Sequence, residues 1–245
     1  MSRSVGNSFN PRLAISYQPA EHHILKAQFS TAFRPPTFVE MYATTPTLLG
    51  NPNLKPETIR TYEVSYIYRT SETVSRATVF HSSLRNLILI SGSLYENTSS
   101  AANLNGIELE LERTLTSHVK LNTNFSYVKT KDLSTGSEIP GSANFLSNVG
   151  LVYQPNRDYL LALHDTFVGN RNRDVNDTRN KLGSSNIVSL TGSILNFWQK
   201  KGLTMRIGAN NLFNSDVRLP APMNTYPGDY PQAGREWWMS ILYDF

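Results

Sequence analysis

The chain has 245 residues, with 23 Lys and Arg against 19 Asp and Glu for a formal net charge of +4, an aromatic content of 11%, and no cysteine. The small excess of cations is scattered rather than gathered in a stripe, which argues against a nucleic-acid binder. Lack of cysteine excludes disulfide staples and thiolate metal sites. No apolar run approaches the roughly 18 residues of a membrane-crossing helix.

Taken in chain order, the pattern has a period of two. Strands are predicted at 10–18 and 22–33 around a tight turn at 19–21, followed by the longest loop, 34–57. Strands at 58–69 and 73–90 join at 70–72, and a loop at 91–102 leads to strands at 103–112 and 117–130, joined at 113–116. A loop at 131–141 precedes strands at 142–154 and 158–168, with a turn at 155–157. After a polar loop at 169–185 come strands at 186–198 and 203–210, joined at 199–202, then a long loop at 212–234. In the final strand Trp237, Met239, Ile241, Tyr243 and Phe245 alternate with Trp238, Ser240, Leu242 and Asp244, an arrangement that fits a strand and not a helix. The reading is an all-β chain of about twelve antiparallel strands, with short and long connections in strict alternation.

That alternation is the mark of a transmembrane β-barrel, with short turns on the periplasmic side and long loops outside, and strands of roughly 9 to 11 residues crossing at a tilt. The faces agree. Tyr62, Val64, Tyr66 and Tyr68, then Ile107, Leu109 and Leu111, then Val119, Leu121, Phe125 and Tyr127 form outward apolar rows. Thr61, Glu63 and Ser65, with Glu108, Glu110 and Glu112, form a polar inward face that needs water or cations around it. A soluble β-sandwich or lipocalin-like barrel also shows period-two patterning, but neither accommodates twelve strands with phase-locked loop lengths.

Five motifs in order carry a resemblance. They are Phe33-Arg34-Pro35-Pro36-Thr37-Phe38-Val39-Glu40-Met41-Tyr42; Gly50-Asn51-Pro52-Asn53-Leu54-Lys55-Pro56-Glu57; Asn103-x-Asn105-Gly106-Ile107-Glu108; Asn210-Asn211-Leu212-Phe213-Asn214; and Gly234-Arg235-Glu236 before the last strand. Together they resemble the TonB-dependent outer-membrane receptors, over essentially the whole chain and over the C-terminal half or so of that family's barrel. The resemblance implies a bacterial outer-membrane location, active transport of a scarce small nutrient such as a ferric siderophore, and a barrel of twenty-two strands around an N-terminal plug. It also implies engagement of TonB through segments before the plug, and recognition of Phe245 by the barrel assembly machinery. Residues 1–10 contain no apolar stretch that could serve as a signal peptide, so residues 1–245 are expected to be the C-terminal portion of a longer receptor, without plug or leader.

The motif residues also have a reading of their own. Thr37 followed by Glu40 is a capping box, predicting one helical turn at 38–42, and the prolines at 35, 36, 52 and 56 stiffen the path around it. Candidate ligand contacts are Arg34, Tyr42, Arg218, Tyr226, Tyr230 and Arg235, because rings and guanidinium groups suit planar or anionic ligands. No cofactor and no resident metal are expected. Haem-taking members of the family that the chain resembles often carry a histidine between the first two motifs; none lies between Arg34 and Asn51, so the resemblance disfavours haem and leaves Tyr42 as the iron ligand to consider. Asp174 and Asp177 sit among Arg171, Arg173, Arg179 and Lys181, which argues for a solvated mixed-charge loop over a calcium site. His164 and Asp165 are adjacent on a strand and so point to opposite faces, which rules out a triad and with it the simplest enzymatic reading. The alternative to a transport receptor is a self-closed passive channel or porin.

Overall fold

The computed structural model describes residues 9–98, 101–223, 225–226 and 228–244. In chain order the elements are β1 (Arg12–Ala20), β2 (His23–Arg34), α1 (Phe38–Tyr42), β3 (Thr44–Thr45), β4 (Leu48–Leu49), β5 (Glu57–Arg69), β6 (Thr73–Arg85), β7 (Ile88–Ser91), β8 (Leu94–Asn97), β9 (Ala102–Thr116) and β10 (Val119–Asp132). They continue with β11 (Phe145–Tyr153), β12 (Tyr159–Val168), β13 (Ser185–Ile194), a 3-10 turn (Phe197–Gln199), β14 (Leu203–Asn210), β15 (Arg218–Leu219), β16 (Tyr230–Pro231) and β17 (Glu236–Tyr243). A single antiparallel meander runs in the order β1-β2-β5-β6-β9-β10-β11-β12-β13-β14-β17.

The main sheet has eleven strands among the described residues, one for each of the eleven spans predicted above, so the total of about twelve overcounts them by one. The stretch expected as one strand at 73–90 breaks at Asn86, whose φ of 57° takes the chain out of extended geometry. Ile88–Ser91 then pairs with Leu94–Asn97 and joins β3 and β4 in a small loop sheet. The predicted strand at 186–198 stops at Ile194, and the connection to β14 is a 195–202 turn with left-handed residues at Asn196, Trp198 and Gln199 rather than a tight turn at 199–202. Phe245, expected to be an assembly signal, lies outside the described residues, as do residues 1–8.

Register settles the faces. Val79 stands opposite Val64 and Ile107, Leu109 opposite Ala77 and Phe125, and Leu121 opposite Arg113 and Leu151, so the predicted apolar rows run on across neighbouring strands. These side chains are not buried against anything: Val64 is 54% exposed and Met239 62%. The buried hydrophobic residues are only Leu54, Ile88, Ala102, Ala209, Val217 and Ala221, and no large side chain is fully buried among the described residues. A water-soluble domain of this length would need a sizeable core, so an uncovered apolar face is the main energetic feature of the fold.

The opposite face is laced with polar contacts. Ser65 and Thr78 share a hydrogen bond of 2.9 Å, as do Thr61 and Ser82, and Gln28 donates to Glu63 at 3.0 Å. Arg76 pairs with Glu110 at 3.0 Å, and Asn148 bridges Asn124 to Thr166. The Asn105-Gly106 motif has a packing reason here, because a Cβ at Gly106 would run into the Phe80 ring lying across it. His164 contacts Thr166 on this polar face at 3.1 Å, while Asp165 stands between Val149 and Val188 on the apolar one.

Candidate functional site

All the long connections emerge from one end of the sheet, and they are ordered there by two ionic knots. The first joins three segments. Thr37 caps α1, its hydroxyl accepting from Glu40 N–H at 3.2 Å while the Glu40 carboxylate accepts from Thr37 N–H at 2.6 Å. The Arg34 guanidinium donates two hydrogen bonds to Glu40, each 3.1 Å, and a third to Glu57. Glu57 also accepts from the backbone of Ile88 at 2.8 Å, tying in the β7–β8 hairpin. Burial works to raise the Glu40 carboxyl, but the Arg34 fork and the Thr37 donors prevail and hold it below its ordinary value.

The second long motif closes onto the first. Gly50 N–H donates to Ala43 at 2.7 Å and Asn51 N–H to Glu40 at 2.9 Å. Only glycine fits at position 50, since a Cβ would collide with the backbone at Met41, Tyr42 and Ala43. Asn97 then clamps Lys55, accepting from its N–H at 2.6 Å and donating to its carbonyl at 2.9 Å. These polar contacts give the Arg34, Glu40, Gly50 and Glu57 positions of the two motifs an architectural function.

The other knot joins the 169–184 loop to the 211–235 loop. Arg173 forks onto Asp229 at 2.8 and 2.6 Å, and Arg179 forks onto Asp177 with its shortest contact at 2.6 Å. Asp229 also accepts from Ala221 N–H at 3.0 Å, and Arg179 donates to the Ala221 carbonyl at 2.9 Å. The side chains of Arg173 and Asp177 are only 8% and 4% exposed, which replaces the expectation of a solvated loop with a packed, bidentate network. Side-chain hydrogen bonds from Arg179 pull the Asp177 carboxyl down to about 2, and those from Arg173 hold Asp229 well below the usual range. With both Asp177 oxygens taken by Arg179, the Asp174–Asp177 pair is not arranged as a cation cage. Nearby, Glu138 is lowered by the Asn144 amide and then by Lys181, which it meets at 3.1 Å.

The sequence candidates fall in both halves of this end. Arg34 is committed to its two carboxylates, and Tyr42 packs its ring 5.1 Å from Phe38. Tyr226 and Tyr230 stack at 5.7 Å with 18° between their planes, and both remain substantially exposed. Arg218 donates to Asp216 and to the Gly228 carbonyl, while Arg235 lies 6.0 Å over the Trp237 ring and draws its backbone onto Asn214. The tyrosine pair, Arg218 and Arg235 thus belong to one loop, separate from Arg34 and Tyr42. Asp229 and Asn97 had no sequence signal, because their partners Arg173 and Lys55 lie 56 and 42 residues away along the chain.

The family model described as "TonB dependent receptor-like, beta-barrel" matches residues 2–212. Among solved structures, a ferric enterobactin receptor (PfeA) of Pseudomonas aeruginosa superposes with a TM-score of 0.80 at 22% identity, covering 99% of this chain and 41% of that one. The siderophore receptor PirA of Acinetobacter baumannii gives 0.79 at 18% identity, covering 99% and 42%. The copper transporter OprC gives 0.76 at 19% identity, covering 96% and 39%. This chain therefore spans about two fifths of their length. No curated protein matches. With the family model covering most of its length, the chain belongs to the TonB-dependent receptor β-barrel family.

Proposed function

We propose that residues 1–245 form the C-terminal portion of the barrel of an outer-membrane active-transport receptor that takes up a scarce small nutrient, such as a ferric siderophore, with energy delivered through TonB. The observation carrying this reading is the combination of an uncovered apolar sheet face with a mouth of long loops fixed by the Arg34 and Arg173 knots. A passive pore needs no pre-ordered mouth, whereas a receptor gains affinity when its loops need not be ordered by the ligand. The exposed Tyr226–Tyr230 stack and the guanidinium groups of Arg218 and Arg235 are the surface offered to ligand, with Arg34 and Tyr42 contributing from the β2–β5 connection. The receptors named above that bind enterobactin or other siderophores, and the copper transporter, support an iron- or metal-chelate class.

Plug and TonB-engaging segments belong, in this reading, to sequence outside these 245 residues, and Phe245 serves the assembly machinery. Strand direction works against the passive-channel alternative. β1 and β17 both run from the long-loop end to the short-turn end, so self-closure of the eleven strands requires a parallel pair, while bacterial single-chain barrels have even strand numbers. The test is growth on a limiting iron chelate with and without active TonB. Cells making only these 245 residues are expected to show no TonB-dependent uptake, and cells making them behind a plug-bearing segment are expected to show it. TonB-dependent uptake by the 245 residues alone overturns the proposal.

A further inference from the structure

Near the short-turn end of the apolar face, the side-chain layer is interrupted at Gly192. Register puts this glycine between Leu161 of β12 and Ile207 of β14, with no side chain to fill the space. The result is a groove of about 380 Å³, almost wholly apolar, walled by Tyr153, Tyr159, Leu161, Ile194, Met205 and Ile207. All six walls lie on the face that the fold leaves uncovered, so the groove is continuous with the apolar band and not a mouth feature.

The turn beyond the groove's lower end is cationic. The 195–202 turn directly below Ile194 and Met205 carries Lys200 and Lys201, and the Lys200 ammonium sits 4.6 Å from the centre of the Tyr243 ring, on the apolar side of the sheet. The same turn holds Trp198 with a φ of 53°, a left-handed conformation that bulky residues rarely adopt, and leaves its indole 82% exposed and stacked on Phe197. Arg157 lies in the neighbouring 154–158 turn, and the acids at this end are Asp158 and Asp244. An exposed indole beside two lysines is the composition that settles at a membrane–water boundary, with the ring among headgroups and the cations at phosphate level.

We propose that this groove is a binding site for one phospholipid of the periplasmic leaflet, its acyl chain lying over Gly192 and its anionic headgroup held by Lys200 and Lys201. The site rests on the outer-membrane reading given above. It commits to a lipid because the walls are apolar apart from the phenol hydroxyls of Tyr153 and Tyr159, while Lys200 and Lys201 belong to the turn just beyond the end where a headgroup would emerge.

The experiment uses the full-length receptor in which these 245 residues are completed by their missing barrel strands, folded into phospholipid bilayers containing a trace of lipid with a photoreactive group at the end of its acyl chain, with either a phosphatidylglycerol or a phosphatidylcholine headgroup. Crosslinks are mapped by mass spectrometry. The expected result is labelling concentrated on the 192–207 segment relative to the Leu109–Phe125 region of the same face, with an anionic preference of about fivefold per lysine. Gly192→Leu and, from the other wall, Ile207→Trp should each abolish the concentration, and Lys200→Ala with Lys201→Ala should remove the headgroup preference while leaving acyl labelling. Even labelling around the whole apolar face, or concentration that survives both groove-filling variants, overturns the site. No labelling anywhere on the apolar face overturns the membrane reading beneath it.

Discussion

Reversing one residue of β9 tests the environment of both faces at once. Leu109 is the middle residue of the fifteen in Ala102–Thr116, flanked across the sheet by Ala77 and Phe125. At roughly 3.3 Å per residue and a tilt near 45°, seven residues on either side place it about 16 Å from each strand end, close to the centre of an apolar band about 25 Å tall. Leu109→Arg should then cost about 2 to 4 kcal/mol in a bilayer. Its neighbour Glu110 faces the polar side, partly exposed, and pairs with Arg76 at 3.0 Å. Glu110→Arg loses an ion pair screened by water, at most about 1 kcal/mol, plus a similar repulsion from Arg76. The assay is urea-dependent folding into phospholipid vesicles of the full-length receptor carrying either variant, read by tryptophan fluorescence and gel mobility. Equal destabilisation at the two positions would refute the assignment of faces, and a greater cost at Glu110 would reverse it.

Other expected outcomes follow from the same contacts. Asp229→Ala should free the 169–184 and 211–235 loops, costing about 1 to 3 kcal/mol locally because the buried Arg173 loses its bidentate partner and keeps only Asp177 at 4.0 Å and the Asn180 carbonyl, and hydrogen exchange should show both loops losing protection together. The carboxyls of Asp177 and Asp229 are depressed in the folded state, so their contribution is intact above the ordinary carboxylate value near 3.9 and is lost as pH falls through the folded value of about 2 for Asp177; loop protection should decline across that interval and not at neutral pH. Gly106→Ala should cost about 1 to 3 kcal/mol through collision with the Phe80 ring, and a second change, Phe80→Leu, should recover most of it in the same folding assay. Asp165→Leu should stabilise the bilayer-folded state by about 1 to 3 kcal/mol, since one carboxylate oxygen is buried without a partner among apolar neighbours; a loss of stability would mean that this carboxylate has a membrane-side partner.

Local signals made most of this architecture legible. Period-two alternation is a property of consecutive residues, so the faces of β5, β9, β10 and β17 follow directly from their sequences, and the Thr37–Glu40 capping box announces α1 within four residues. The departures arise where pairing is decided elsewhere in the chain. Residues 88–91 are apolar enough to extend β6, yet they pair with Leu94–Asn97 once Asn86 turns the backbone, and Glu57 rewards that choice by accepting from Ile88 N–H. Likewise Asp177 looks solvated in a window rich in charge, and only the folded loops show that Arg173 reaches Asp229 across 56 residues and that Asp177 is packed beside it. Ring-bearing candidates at the mouth could be picked by chemistry, but their grouping into a Tyr226–Tyr230 half and a Tyr42 half needed tertiary structure.

Strand direction links the fold to what must surround it. Every strand of the main sheet except the outer two has both neighbours paired, while β1 and β17 each present one row of backbone donors and acceptors with no partner in the sheet. Within hydrocarbon each such group costs several kcal/mol, so two open edges of nine and eight residues would together oppose insertion by on the order of tens of kcal/mol. Eleven is odd, so both edges point the same way along the barrel axis. Neither self-closure nor edge-to-edge association of two identically inserted copies can then be antiparallel. An odd number of further antiparallel strands satisfies both edges at once and gives an even total, and it does so without altering a single contact of the Arg34 or Arg173 knots at the mouth. The same sheet that makes the isolated edges costly thus presets how a preceding segment must run: it begins beside β17, alternates, and ends beside β1 with its apolar residues on the face shared by Val64 and Met239.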